Sequence, residues 1–226
     1  MSAAPKILTL AVLAAGLGRR FIGGHKLLAP LPDGSRVIDR VLDTAAHAAH
    51  VLQSEQSVLP VSVKVMVVLR EEDRSLLQEV VQARERLVSL ADLELLLLSA
   101  SEEVELATRI KAVINHAPSD GWLFMLGDMP FVQFSTVVAL GSAFFHTTKS
   151  EQYFFVPVQL SEGGAKRGNP VLIGSTWRSQ LLELCGDQGA NPLLKQHSNA
   201  VVHVPVDDPG IHRDIDRVED LPGFSS

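Results

Sequence analysis

Cysteine, tyrosine and tryptophan are scarce in this chain of 226 residues, which has one cysteine, one tyrosine and two tryptophans. Because Cys185 has no cysteine to pair with, no disulfide can form within the chain and no cysteine-rich zinc site can be built. A chain without disulfides suits a reducing compartment. We therefore expect a cytoplasmic protein.

Positive charge and long apolar runs are also limited. The 20 lysines and arginines are outnumbered by 26 aspartates and glutamates, which gives a net charge of −6. Nucleic acid is held by a surplus of basic residues, so it is not expected as the main partner. The apolar runs at Ile7–Leu13 and Leu93–Leu98 are much shorter than the roughly 20 residues that span a bilayer, so no membrane association is expected.

Short apolar segments alternate with segments of helical periodicity along the chain. This alternation predicts an α/β fold in which a mostly parallel central sheet is flanked by helices. The length fits a single domain. The predicted strands are Ile7–Leu13, Val61–Leu69, Leu93–Leu98, Trp122–Leu126, Tyr153–Val158, Val171–Ile173 and Ala200–Val204, and the predicted helices are Val37–Leu52, Asp73–Leu87, Glu102–Asn115 and Trp177–Leu184.

A turn of small residues follows the first predicted strand. Ala14, Ala15, Gly16 and Gly18 remove side-chain bulk there, so that backbone N–H groups can approach a ligand closely. Cations follow at Arg19, Arg20 and Lys26. Small residues, free amides and cations together suit a polyphosphate. A turn whose charges are merely solvated is the alternative. The turn lacks the third glycine of a dinucleotide fingerprint and the GK[ST] of a P-loop.

A second polar segment, GDMPF, follows the predicted strand Trp122–Leu126. In a parallel sheet the ends of such strands meet at one edge, so we expect Asp128 to lie near Gly16. A carboxylate there suits Mg²⁺, which binds carboxylate and phosphate oxygens and keeps several waters. The alternative is that Asp128 caps the following helix.

Together these segments resemble the nucleotidyltransferases with a Rossmann-like three-layer fold, in particular the molybdenum-cofactor cytidylyltransferases. That family reads LAAG-x-G-x-R, then a short loop and K-L-L, and later GDMP. The matching positions are Leu13, Ala14, Ala15, Gly16, Gly18, Arg20, Lys26, Leu27, Leu28 and Gly127–Pro130. The resemblance implies that residues 1–130 bind the nucleotide and that residues 131–226 bind an acceptor.

The resemblance also implies roles for individual residues. Arg20, Lys26 and Asp128 are expected to be catalytic, and Arg20 and the glycine amides to hold the β- and γ-phosphates. The segment at Arg167–Val171 corresponds to one that lines the family's acceptor pocket, which makes Arg167 and Asn169 candidate acceptor ligands, although an ordinary hairpin loop explains its glycine as well.

Two aspartates near the end of the chain complete the list of candidates. Asp187 lies in GDQGANPLL, which matches a family stretch, and either contacts the acceptor or begins the next helix. Asp216 corresponds to the second metal-binding carboxylate in the closing D-x-D-T-P-E-D-L of the superfamily, although Arg217-Val218 replace Thr-Pro here. Its acidic surroundings alone indicate a solvated tail.

The resemblance implies transfer of a nucleoside monophosphate to a phosphorylated acceptor, with Mg²⁺ as cofactor and release of pyrophosphate. LAAG rather than LAGG favours CTP over GTP. The expected acceptor is of molybdopterin type, and a recipient molybdoenzyme is a further expected partner. The family's glycine- and serine-rich loop is replaced here by a segment with Glu102, Glu103 and Glu105, whose charges would repel a triphosphate unless they face away. Transfer to a sugar phosphate and non-catalytic cofactor binding remain alternatives.

Overall fold

A mixed β-sheet covered by helices on both faces carries most of the buried apolar side chains. A computed structural model describes residues 4–16, 18, 20–22, 24–54, 60–99, 105–161 and 164–223. The strands in these ranges are β1 (Lys6–Leu13), β2 (Val61–Arg70), β3 (Leu93–Leu98), β4 (Gly121–Leu126), β5 (Phe154–Ser161), β6 (Gly164–Arg167), β7 (Val171–Gly174) and β8 (Val201–Pro205). The α-helices are α1 (Val37–Ser54), α2 (Arg74–Leu87), α3 (Leu106–His116), α4 (Phe134–His146), α5 (Arg178–Leu182) and α6 (Asn191–Gln196).

The strands pair in the order β3-β2-β1-β4-β7-β5, with β1 and β4 in the middle. Strands β1 to β4 are mutually parallel, β7 is antiparallel to both of its neighbours, and β8 pairs parallel with β5. The short strand β6 extends from β5 as an antiparallel hairpin. The sheet is therefore mostly parallel, as predicted.

Strand β1 is buried on both faces, which is why it reads as a nearly continuous apolar run. Leu8, Leu10 and Val12 pack in one cluster with α1, α2 and α4, while Ala11 and Leu13 pack in another with α3, α5 and α6. The molecule thus has three layers, with the sheet between two sets of helices. This confirms the predicted fold class.

Helix α4 is not among the helices whose bounds the sequence predicts, although the alternative role of Asp128 as a cap presupposes a helix after GDMPF. Eight of the 13 residues of α4 are apolar, and the helix includes valines, threonine and a glycine, so helical periodicity is weak. The helix is stabilised by packing instead: a Cβ at Gly141 would lie 2.5 Å from the Leu52 side chain, so the glycine lets α4 approach α1 closely. The predicted helix Trp177–Leu184 is shorter than expected, because Ser175–Trp177 form a 3-10 turn and α5 ends at Leu182.

The carboxyl ends of β1 and β4 lie side by side. Leu13 pairs with Leu126, and the Gly127 amide donates to the Leu13 carbonyl at 3.2 Å. A Cβ at Gly127 would lie 3.2 Å from the Ala14 Cα, so glycine permits this approach. The small-residue turn and GDMPF therefore share one edge of the sheet, as predicted. Among the described residues, no helix is both long and apolar enough to cross a membrane.

Candidate active site

The centre of this edge is the ammonium group of Lys26. Lys26 begins a 3-10 turn, Lys26–Leu28, which buried Leu27 anchors in the core. Its Nζ lies 2.7 Å from Asp128 Oδ2 and 3.1 Å from Asp216 Oδ1, and its side chain is only 11 % exposed. Three residues far apart in the sequence therefore meet at one point.

Asp216 reaches this point through the backbone that precedes it. The Ile215 amide donates to the Asp128 carbonyl at 2.9 Å, and the Ile215 side chain is fully buried. On the other side, Asp220 Oδ2 accepts hydrogen bonds from the amides of Asp216 and Arg217. The segment is therefore held in place, and Asp216 is not part of a loose acidic tail.

Charge is balanced tightly within this cluster. Arg20 adds a second cation, its Nη1 2.9 Å from Asp216 Oδ2, although its side chain is 74 % exposed. Burial opposes the charge on Lys26, but Asp128 and Asp216 outweigh that effect and raise the Lys26 pKa above its ordinary value. Partial burial likewise opposes the charge on Asp216, but hydrogen bonds from Lys26 and Arg20 outweigh it and lower the Asp216 pKa.

The chemistry of Asp128 fits a divalent cation. Its Oδ1 is buried and has no hydrogen-bond partner among the described residues, while Oδ2 contacts a cation already. No group of three or more histidine, cysteine or acidic side chains able to hold a metal occurs in the described part of the chain. Two carboxylates nonetheless suit Mg²⁺, because substrate phosphates and water usually complete its shell.

Asp128 does not cap helix α4, which was the structural alternative. That helix begins at Phe134, and its N-cap residue Gln133 makes no side-chain capping bond. The buried carboxylate that serves α4 is Asp208, whose Oδ2 accepts from the Gln133 amide and from Thr136 Oγ1. No local sequence pattern indicates this contact, since Asp208 lies 75 residues from Gln133.

Two cationic side chains, Lys26 and Arg109, lie close to the glycine turn. Gly18 has a φ of +54°, and a Cβ there would lie 3.3 Å from Lys26 Cβ. A Cβ at Gly16 would lie 3.3 Å from Nη1 of Arg109. Leu13, Ala14 and Ala15 are buried beneath the turn. Arg19 lies outside the described residues.

Arg109, in the first turns of α3, was missed from the sequence. Its side chain is 13 % exposed, and its Nη2 lies 4.0 Å from Asp187 Oδ1. Burial lowers the Arg109 pKa, and the charges of Asp187 and Asp128 partly offset this. In the sequence, Arg109 is one polar residue among several in a predicted helix. Only its position beside Gly16, which the fold creates, identifies it as a candidate site residue.

A cavity of about 210 Å³ opens beside this cluster. Two of the three predicted acceptor residues, Asn169 and Asp187, line it, whereas Arg167 lies exposed on β6 and does not. The rest of the described lining is mostly apolar, with two side-chain amides: Leu13, Leu106, Ile110, Phe124, Leu126, Val171, Ile173, Gln188, Gly189, Ala190, Asn191 and Leu194.

Asp187 also has a structural contact. Its Oδ1 accepts from the Leu106 amide at 2.9 Å, at the start of α3, and does not cap α6, whose N-cap is Ala190. Glu105 Oε2 accepts from the Gly186 amide at 2.8 Å, so this carboxylate is engaged with the 186–187 turn. Glu102 and Glu103 lie outside the described residues.

The class of this protein is that of the nucleotidyltransferases, as a family match over most of the chain shows. The chain belongs to the MobA-like NTP transferase domain family, whose model matches residues 10–201. The match includes the glycine turn, Lys26 and Asp128, and it ends before Asp216. No protein of curated function matches the chain at the level of sequence.

Solved structures share the fold over nearly the whole chain. A nucleotidyl transferase from Methanothermobacter is 22 % identical, with a TM-score of 0.66 and coverage of 96 % of this chain and 94 % of that one. Rv0371C from Mycobacterium tuberculosis, solved as a manganese complex, is 19 % identical, with a TM-score of 0.61 and 96 % coverage of both chains. The 4-diphosphocytidyl-2C-methyl-D-erythritol synthase from Anaerococcus prevotii is 13 % identical, with a TM-score of 0.60 and coverage of 96 % and 92 %.

Proposed function

We propose that this protein is a Mg²⁺-dependent nucleotidyltransferase that transfers CMP from CTP to a phosphorylated acceptor of molybdopterin type and releases pyrophosphate. The observation that carries the proposal is the contact of Lys26 Nζ with both Asp128 and Asp216, next to the glycine turn. A lysine between two carboxylates, beside a glycine-rich turn, suits a metal-bound polyphosphate.

The reaction needs positioning and charge stabilisation more than an activated side chain. An oxygen of the acceptor phosphate forms a bond to the α-phosphorus, the bond from that phosphorus to the bridging oxygen breaks, and pyrophosphate leaves with the electron pair. A phosphate dianion is already nucleophilic, so alignment and stabilisation of the leaving charge dominate catalysis.

We assign the roles as follows. The amides of the glycine turn and the Arg20 guanidinium hold the β- and γ-phosphates, and Lys26 moves from its carboxylates to the α-phosphate. Asp128 and Asp216 hold Mg²⁺, which neutralises phosphate charge when bound. Asp128 is the better placed of the two, because its Oδ1 is free of partners among the described residues.

The cavity supports an acceptor with a flat, weakly charged body. Its lining is largely apolar, with side-chain amides at Asn169, Gln188 and Asn191, and among the described lining residues only Asp187 is charged. A heteroaromatic body with hydrogen-bonding edges, such as a pterin, matches that lining better than a sugar, whose many hydroxyls need many partners. The choice of CTP is supported by Ala15 in LAAG and by the cytidyl-named structural relative.

The test is release of pyrophosphate from each of CTP, GTP, ATP and UTP, with Mg²⁺ and a panel of acceptors. The panel contains a molybdopterin-type phosphate and several sugar phosphates. We expect release with CTP and the pterin acceptor, and none after addition of a chelator. Turnover of a sugar phosphate alone would overturn the acceptor assignment. Binding of nucleotide without turnover of any acceptor would favour a non-catalytic binding protein.

A further inference from the structure

The guanidinium of Arg109 lies at the junction of three features. A Cβ at Gly16 would lie 3.3 Å from its Nη1, the charge of Asp128 acts on it, and its Nη2 lies 4.0 Å from Oδ1 of Asp187, which lines the cavity. Leu106 and Ile110, its neighbours on α3, line the cavity. The Arg109 guanidinium therefore lies near both the glycine turn and the lining of the cavity.

Among the described residues, Arg109 has only weak partners for a buried positive charge. Its ion-pair partner Asp187 is 4.0 Å away and has a side chain that is 78 % exposed. Nε donates a long hydrogen bond of 3.4 Å to the Glu105 carbonyl. Burying a guanidinium is costly unless its donors are well paired, and a planar fork of donors is suited to phosphate oxygens.

We propose that Arg109 binds a phosphate group at this junction, between the glycine turn and the cavity. The inference rests on the proposed function, because the phosphate belongs either to the nucleotide or to the acceptor. None of the described residues that line the cavity is a lysine or arginine, so Arg109 is placed to bind the phosphate of a ligand whose body fills the cavity.

The test uses Arg109→Met and Arg109→Lys in the full chain. Lys111→Met is the matched control, because it removes a cation from the same helix two residues further on, where side chains do not share a face. One calorimetric titration adds CMP with Mg²⁺ to the free protein. The other adds inorganic phosphate to protein saturated with a non-hydrolysable CTP analogue.

We expect Arg109→Met to weaken phosphate binding about tenfold or more in one of the two titrations, and Arg109→Lys to weaken it less, because lysine keeps the charge but lacks the fork. A loss in the CMP titration assigns the nucleotide phosphate, and a loss in the second assigns the acceptor phosphate. Lys111→Met should change neither. Thermal unfolding should leave Arg109→Met as stable as the wild type, since a poorly paired buried charge is removed.

Unchanged affinities in both titrations, or no phosphate binding by the wild type in either, would overturn the inference. Lower stability of Arg109→Met with unchanged affinities would show that Arg109 is structural. If the wild type fails to bind the CTP analogue, the proposed function itself fails, and that result is seen before any variant is compared.

Discussion

The amide of Ile215 donates to the carbonyl of Asp128 at 2.9 Å, across 87 residues of chain. This bond holds Asp216, the residue after Ile215, close to Asp128, so that the Lys26 ammonium group reaches both carboxylates. The pair is therefore fixed by the backbone, and its function can be probed by changing side chains without losing the framework.

Lys26→Met should strengthen metal binding and weaken catalysis. Without the ammonium, two carboxylates face each other with less positive charge, so we expect the free protein to bind Mn²⁺ about tenfold more tightly. Turnover should fall by roughly 10²-fold or more, because a major electrostatic group is lost. Mn²⁺ binding is read by electron paramagnetic resonance. Lys64→Met, at an exposed position of β2, is the control. Weaker Mn²⁺ binding in Lys26→Met would contradict the assignment.

Asp128→Asn should lower turnover about 10²-fold or more and weaken Mg²⁺-dependent nucleotide binding. The fold should persist, because the backbone bonds of Asp128 and Ile215 do not use the carboxylate. Pyrophosphate release and calorimetry measure the two effects. Asp207→Asn, an exposed change elsewhere, should leave both at wild-type values. Near-normal turnover of Asp128→Asn would refute its role as a metal ligand.

Stability should depend on pH through Asp216. The pKa of this carboxyl is lowered in the folded protein, so its ion pairs stabilise the fold above the ordinary value of 3.8, and this contribution is lost as the pH falls through the lower folded value. Urea unfolding at pH 6 should show Asp216→Asn to be less stable than the wild type, by about 1 kcal/mol or less because the site is partly exposed. At pH 3 the difference should shrink. A constant difference at both pH values would contradict this linkage.

Asp208→Ala should destabilise the fold without touching the site. The Asp208 carboxylate is 1 % exposed and accepts hydrogen bonds from the amides of Gln133 and Gly210 and from Thr136 Oγ1. Its loss leaves two buried donors and one partly buried donor unsatisfied, and we expect a decrease of about 3 kcal/mol in the free energy of unfolding. Asp207→Ala, at the exposed neighbouring position, should change stability little. Equal losses in the two variants would show that the buried hydrogen bonds do not matter.

Local sequence patterns identify residues whose structural role depends on their neighbours in the chain. The apolar run Ile7–Leu13 is a central strand because it is apolar throughout, and the glycines after it form a turn because they follow a strand. GDMPF likewise is a turn that directly follows an apolar strand, β4. These signals are short in range, and so the fold class and one edge of the site were predictable.

Other parts of the site depend on contacts between distant segments, and no local pattern encodes them. Asp216 had the charge pattern of a solvated tail and was singled out only by a family resemblance, whereas the backbone bond from Ile215 brings it to Lys26. Arg109 is an ordinary polar helix position in the sequence, and only the fold brings its guanidinium close to Gly16. The sequence by itself determined the strands, most of the helices and the two motifs, because these follow from hydrophobic period and turn chemistry. Tertiary packing decided which charges meet, because electrostatic pairing depends on distance in space.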